Sequence, residues 1–251
     1  MPLPEPYYTS PDGRIVLYCA DCRDVLAHLP AADLLLTDPP YGIANGVFWR
    51  RNGTILSHDR DARHNVRVDG WRDQVRLANP AAIVEFCNGQ LAALDAVRSA
   101  HRQAGWQEWR LYVLAKATPP PSVRPTFASS FEVALVSYCG RRPWYGGHHV
   151  PDSWHGITPN AAGCGVHPTQ KPLTPIRRLI EALCPPHGLV LDPFAGSGTT
   201  LVAAQVLGRR AIGVEIEERY CGIAVERLRQ QPLPLPEPEP VRQPALMEED
   251  S

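Results

Sequence analysis

Short apolar runs recur along the chain, each closed off by proline or polar clusters. Ile15–Tyr18 (IVLY) and Leu34–Thr37 (LLLT) read as buried parallel strands, with a helical stretch around Val25–Leu29 between them. Ala81–Cys87, Trp109–Ala115 and Phe131–Tyr138 repeat the pattern, and Gln90–Gln103 has helical periodicity. Leu189–Asp192 and Ala211–Glu215 are two further strands, flanked by helices over Leu173–Leu183, Gly198–Leu207 and Glu218–Arg229. Strands that alternate with helices predict an α/β fold with a mostly parallel, doubly wound sheet.

Two stretches fall outside this alternation. Ile43–Asn79 is rich in arginine and polar residues, and Cys139–Gly165 is rich in Gly, Trp, His and Pro. Connections of this length are usually functional or disordered. From Gln231 to Ser251 the alternating prolines of PLPLPEPEP exclude helix and sheet, so this segment is read as a disordered, Pro-rich acidic tail. The expected organisation is one domain over residues 1–230 followed by that tail.

Composition changes the picture in three places. The formal net charge is −1, but the tail carries five acids against Arg242, so residues 1–230 carry +3, a mildly basic body that permits a nucleic-acid partner. Seven scattered cysteines do not form a disulfide framework. Cys19 and Cys22 make a CxxC without a second pair to complete a zinc site, so reduced thiols and no metal are expected. Met1–Tyr8 lacks a basic segment followed by an apolar run, and no stretch approaches the roughly 18 apolar residues of a membrane span, so a cytoplasmic protein is expected.

Candidate chemistry sits at strand ends. In Leu189–Thr200 (LVLDPFAGSGTT) a strand delivers Asp192, a turn holding Gly196 and Gly198 lets backbone approach a ligand, and a helix starts at once. A nucleotide-type cofactor fits there. Glu215 ends the next strand about 20 residues on, the spacing at which an acid takes ribose hydroxyls in dinucleotide folds. In Thr37–Gly42 (TDPPYG) two prolines stiffen the backbone and remove donors, leaving the carbonyls of Asp38 and Pro39 free to accept from an amino group, with Tyr41 offering a flat face.

Together with Val166–Pro172 (VHPTQKP), these segments resemble the amino-methyltransferases of DNA, specifically the circularly permuted β group, in which the catalytic tetrapeptide precedes the glycine loop. The resemblance runs from about Arg14 to Arg229 and implies a Rossmann-like class I S-adenosylmethionine-dependent methyltransferase. It assigns Asp38, Pro39, Pro40 and Tyr41 to catalysis. Phe194, Ala195, Gly196, Ser197 and Thr199 are assigned to S-adenosylmethionine, Glu215 to its ribose, His167, Thr169 and Lys171 to its methionine side, and Asp21 with Cys22 to its adenine. Ala20 stands where the family usually has Gly, which weakens the adenine contact.

What the resemblance implies chemically is methyl transfer to an exocyclic amino group of a base flipped out of double-stranded DNA. Asp at the first catalytic position favours N6 of adenine, with N4 of cytosine the alternative. DNA contact is expected from insertions at about 43–79 and 139–165, where arginines and tryptophans are interleaved. The brevity of the second insertion implies a simple recognition sequence or a homodimer, and the resemblance admits a cognate restriction endonuclease as a further partner. The reading from another class is a catalytically silent nucleic-acid-binding protein that retains the fold.

Overall fold

The computed structural model describes residues 3–39, 49–51, 54–56, 80–88, 91–117, 130–147, 150–158 and 170–230. Eleven strands are present among them: β1 Tyr8–Thr9, β2 Ile15–Cys19, β3 Leu34–Thr37, β4 Trp49–Arg51, β5 Thr54–Leu56, β6 Ala82–Asn88, β7 Gln107–Lys116, β8 Phe131–Tyr138, β9 Ser153–Gly156, β10 Leu189–Asp192 and β11 Arg210–Glu215. The helices are α1 Cys22–Val25, continued by a 3-10 turn at Leu26–His28, then α2 Leu91–Gln103, α3 Leu173–Leu183, α4 Thr199–Val206 and α5 Glu218–Arg229. β4 and β5 form a separate antiparallel pair.

The remaining strands make one sheet in the order β1-β2-β11-β10-β3-β6-β8-β7-β9. β2, β11, β10, β3 and β6 run parallel. β8 is antiparallel to both of its neighbours, β6 and β7, while β1 runs against β2. The sequence expectation of a mostly parallel sheet therefore holds, but Phe131–Tyr138, which repeats the apolar pattern of the parallel strands, is reversed.

Alternation along the strands explains the two covered faces. Leu34, Leu36 and Val190 pack with Ile176, Ile180, Leu201 and Val225 of α3, α4 and α5, whereas Leu35, Leu189 and Leu191 pack with Val25 and Leu26 on the other side. Helix α3 buries Ile176, Leu179, Ile180 and Leu183, one apolar stripe at helical spacing, and stops at Cys184 ahead of Pro185. Helix α2 is tied to the second face by a buried polar link. The His101 Nε2 lies 3.0 Å from Glu85 Oε2 and its Nδ1 lies 2.9 Å from Ser137 Oγ, all three side chains being inaccessible to solvent. A buried polar group must be paired to be tolerated, so this network fixes α2 over β6 and β8.

Gly198 shows how closely α4 and α5 approach. Its φ is +79°, and a Cβ built there would lie 2.8 Å from Ala224 Cβ. Gly198→Ala is therefore expected to cost about 2 kcal/mol or more, from left-handed strain and overpacking together. Chemical denaturation of the purified variant checks this, and an unchanged midpoint would contradict the packing argument.

Candidate active site

The carboxyl ends of the parallel strands define one rim of the sheet, and the sequence motifs collect there. Asp38 and Pro39 follow β3, Asp192 ends β10, and Glu215 ends β11. A cleft opens between Asp38 and Asp192, walled by Leu36, Phe86, Lys171 and the loop Phe194–Ser197, among others; Pro39 and Glu215 stand beside it at the rim without lining it.

The glycine loop is held from two sides. Gly196 has φ +52° and no atom within 4 Å of the place its Cβ would take, so it presents bare backbone to open space. Its N–H donates to Glu215 Oε2 at 2.8 Å, while Glu217 N–H donates to Glu215 Oε1 at 2.9 Å. Burial raises the pKa of Glu215, and these backbone donors partly offset that rise. A carboxylate has about four acceptor positions, so two backbone bonds leave capacity for hydroxyls. From the far side Arg227 on α5 donates to the Ser197 carbonyl oxygen and, at 3.1 and 3.2 Å, to the hydroxyls of Ser197 and Thr199.

Asp192 joins the two halves of the rim. It accepts from Thr37 Oγ1 at 3.0 Å, from the Phe194 N–H at 3.1 Å and from Thr200. Burial pushes its pKa up to about 6, against the pull of those donors. It thereby holds the end of β3, and so Asp38, at a set distance from the glycine loop.

Asp38 is ion-paired through Oδ2 with the ammonium of Lys171. Lys171 also lies 3.0 Å from Glu132 Oε2, and Lys116 lies 2.6 Å from Glu132 Oε1. The Phe86 ring sits 5.2 Å from the Lys171 nitrogen. Burial works against the charge on Lys171, but Asp38 and Glu132 outweigh it and raise its pKa. Burial likewise opposes the charge on Glu132, and the two lysines override it to hold its pKa at about 2.

The structure gathers Asp38, Pro39, Lys171, Phe194, Ala195, Gly196, Ser197, Thr199 and Glu215 at this rim. Asp21 and Cys22 stand at the same rim beside β11, where Ala20 N–H donates to the Glu215 carbonyl at 3.0 Å, but neither lines the cleft. Asp21 caps α1 and is ion-paired with Arg23, and burial pushes the Cys22 thiol up to about 12. Pro40, Tyr41, His167 and Thr169 lie outside the described residues. Phe86, Lys116, Glu132 and Arg227 belong to none of the sequence motifs, while Thr37, Gln170 and Asp192 lie inside those motifs without an assigned role. A carboxylate inside the apolar run FEVALVSY was the available signal for Glu132.

The segment 139–165 divides. Because β8 runs backwards, Glu132 lies at the rim of the cleft and Tyr138 at the opposite one, about 20 Å away by strand rise. Arg141, Arg142, Trp144 and Tyr145 follow at that far rim, where Tyr145 N–H donates to the Ala182 carbonyl at 2.7 Å. There Trp144 packs edge-on against Trp109 at 5.7 Å, and Arg142 lies over the Trp109 ring. This part of the expected DNA-contacting insertion is therefore remote from Asp38. β9 then extends the sheet beside β7 and runs back toward the cleft. Most of the first insertion, about 43–79, lies outside the described residues.

A glycine loop and an acidic strand end on an open α/β sheet define a nucleotide-cofactor enzyme, with a carboxylate poised across the cleft. Residues 138–226 match the N6/N4 family described as DNA methylase. The type II methyltransferase M2.LlaDCHI of Lactococcus lactis subsp. cremoris is 30% identical over 250 residues, covering 89% of this chain and 92% of that protein. M2.DpnII of Streptococcus pneumoniae is 28% identical over 250 residues, with the same coverage of 89% and 92%. The solved M1.HpyAVI–SAM complex superposes with a TM-score of 0.66 at 23% identity, covering 86% of this chain and 99% of that one, which shows a shared fold. The chain belongs to the DNA N6/N4 methyltransferase family, enzymes that take their methyl group from S-adenosylmethionine. Among the described residues no helix is long and apolar enough to cross a membrane.

Proposed function

We propose that this methyltransferase acts on N6 of adenine in double-stranded DNA, with the target base flipped into the cleft beside Asp38. The observation that carries the reading is the placement of Asp38 and Gly196 in the wall of one cleft, an acceptor for an amino group facing the backbone loop suited to the cofactor. The bound cofactor supplies an electrophilic methyl on a sulfonium, so transfer forms an N–C bond, breaks an S–C bond and leaves a neutral thioether. The amino nitrogen then loses one proton to solvent.

The chain's own residues supply alignment and electrostatics. Bare backbone at Gly196, the Ser197 and Thr199 hydroxyls and Glu215 hold the cofactor, and the rim beside Asp21 and Cys22 receives its adenine. The Asp38 carboxylate and the Pro39 carbonyl accept from the amino group, which localises the nitrogen lone pair and stabilises the charge that develops there. Pro40, which like Pro39 has no N–H to donate, and Tyr41, whose ring offers a flat face to the flipped base, complete the catalytic tetrapeptide. His167 and Thr169 close the methionine side. Phosphate contacts come from the arginines of about 43–79, and the protein works in the cytoplasm, beside a cognate restriction endonuclease and, where one chain reads too few bases, as a homodimer.

Mass spectrometry of nucleosides from DNA methylated by the purified protein tests this reading. N6-methyladenine is expected, N4-methylcytosine would overturn the choice of base, and no modified nucleoside would favour the silent DNA-binding alternative. Removal of residues 231–251 is expected to leave turnover within about twofold and to tighten DNA binding at low salt, because the tail carries five acids. A large fall in turnover of the truncated protein would contradict this.

A further inference from the structure

Four charged side chains alternate in sign along one line at the cleft: Lys116, Glu132, Lys171 and Asp38. Their side chains are 16, 21, 11 and 23% exposed, so each has given up most of its hydration. Such arrays seldom add stability over well-packed apolar residues, because desolvation consumes the attraction. Their arrangement therefore calls for a reason in the cleft itself. Formally the array is neutral, and that neutrality depends on Glu132, which is the only one of the four that contacts both lysines.

The ligand of this cleft differs in charge before and after reaction. S-adenosylmethionine carries a sulfonium, whereas S-adenosylhomocysteine has a neutral thioether at the same position. Lys171 lines the cleft, so its ammonium would repel the sulfonium and be indifferent to the thioether. Asp38 offsets one such charge, but Lys116 stands behind it with a second. We propose that Glu132 is a charge-compensating residue of the cleft, acting with Asp38 to favour the cationic methyl donor over the neutral product. The proposal rests on reading this cleft as the cofactor site. It makes Glu132 a positioning and specificity residue, acting through Lys171 without touching the base.

Titration calorimetry of the full chain with each ligand separately tests it. Glu132→Gln keeps the shape and leaves the array with one net positive charge. One uncompensated charge beside the cleft, screened by an effective dielectric of about 20 and by partial exposure, is worth about fivefold. Affinity for S-adenosylmethionine should fall by about fivefold, while affinity for S-adenosylhomocysteine should stay within about twofold. Lys116→Met removes a positive charge instead and should move the same ratio toward S-adenosylmethionine. Equal losses for both ligands in Glu132→Gln would show a merely structural role and overturn the proposal. If that variant does not fold, Lys116→Met decides, and an unchanged or reversed ratio overturns the proposal. An unmutated protein that binds neither ligand would refute the cofactor site itself, a separate failure.

Discussion

Asp38→Ala is expected to slow methyl transfer by at least about a hundredfold in single-turnover assays on duplex DNA, the loss typical of removing one preorganised acceptor or donor from a transition state. The defect lies in the chemical step. The glycine loop, Glu215 and Arg227 are untouched, so affinity for S-adenosylhomocysteine should be unchanged. Affinity for S-adenosylmethionine should fall by only about fivefold, because Lys171 loses its counter-charge on that side. Near-normal transfer by the variant would refute the catalytic role of Asp38. Loss of S-adenosylhomocysteine binding would instead show that Asp38 maintains the architecture of the rim, through Lys171.

Gly196→Val is expected to remove measurable cofactor binding, a loss of about a hundredfold or more, while the chain remains folded. At φ +52° the added Cβ projects into the open cleft without meeting protein, so the branched side chain takes up space in the cleft wall. The same φ makes Val strained by about 1–2 kcal/mol, which lowers stability without unfolding a chain whose sheet is buried on both faces. Gly198 makes a useful contrast, since its missing Cβ makes room for Ala224 on α5 rather than for a ligand. Calorimetry with S-adenosylmethionine checks the prediction, and unchanged affinity for a folded Gly196→Val protein would remove the loop from the cofactor site.

Both variants were accessible from sequence because their signals are local. A glycine turn between an apolar strand and a helix, or a pair of prolines ending a strand, constrains its own backbone whatever packs around it. The same holds for most elements. The stripe of Ile176, Leu179, Ile180 and Leu183 together with the prolines after Cys184 defines α3, and the expected bounds Leu173–Leu183 are those observed. Where the local signal is weaker the expectation drifts: the helix expected around Val25–Leu29 is instead α1, capped by Asp21, running into a 3-10 turn.

Strand direction and register belong to the tertiary structure. An apolar run such as FEVALVSY reads the same whether it enters the sheet parallel or antiparallel, since burial on both faces carries no sense of direction. Only the packed sheet decides that β8 lies between β6 and β7 and runs against both. That one reversal puts Glu132 at the cleft, opposite Asn88 at the end of β6, and carries Trp144 and Tyr145 to the far rim. The α/β alternation, the glycine loop after β10 and the proline-stiffened turn after β3 are each written within a dozen residues, so local chemistry suffices for them. The alternating charges of Lys116, Glu132, Lys171 and Asp38 come from four separate segments, and only long-range strand pairing brings them into line.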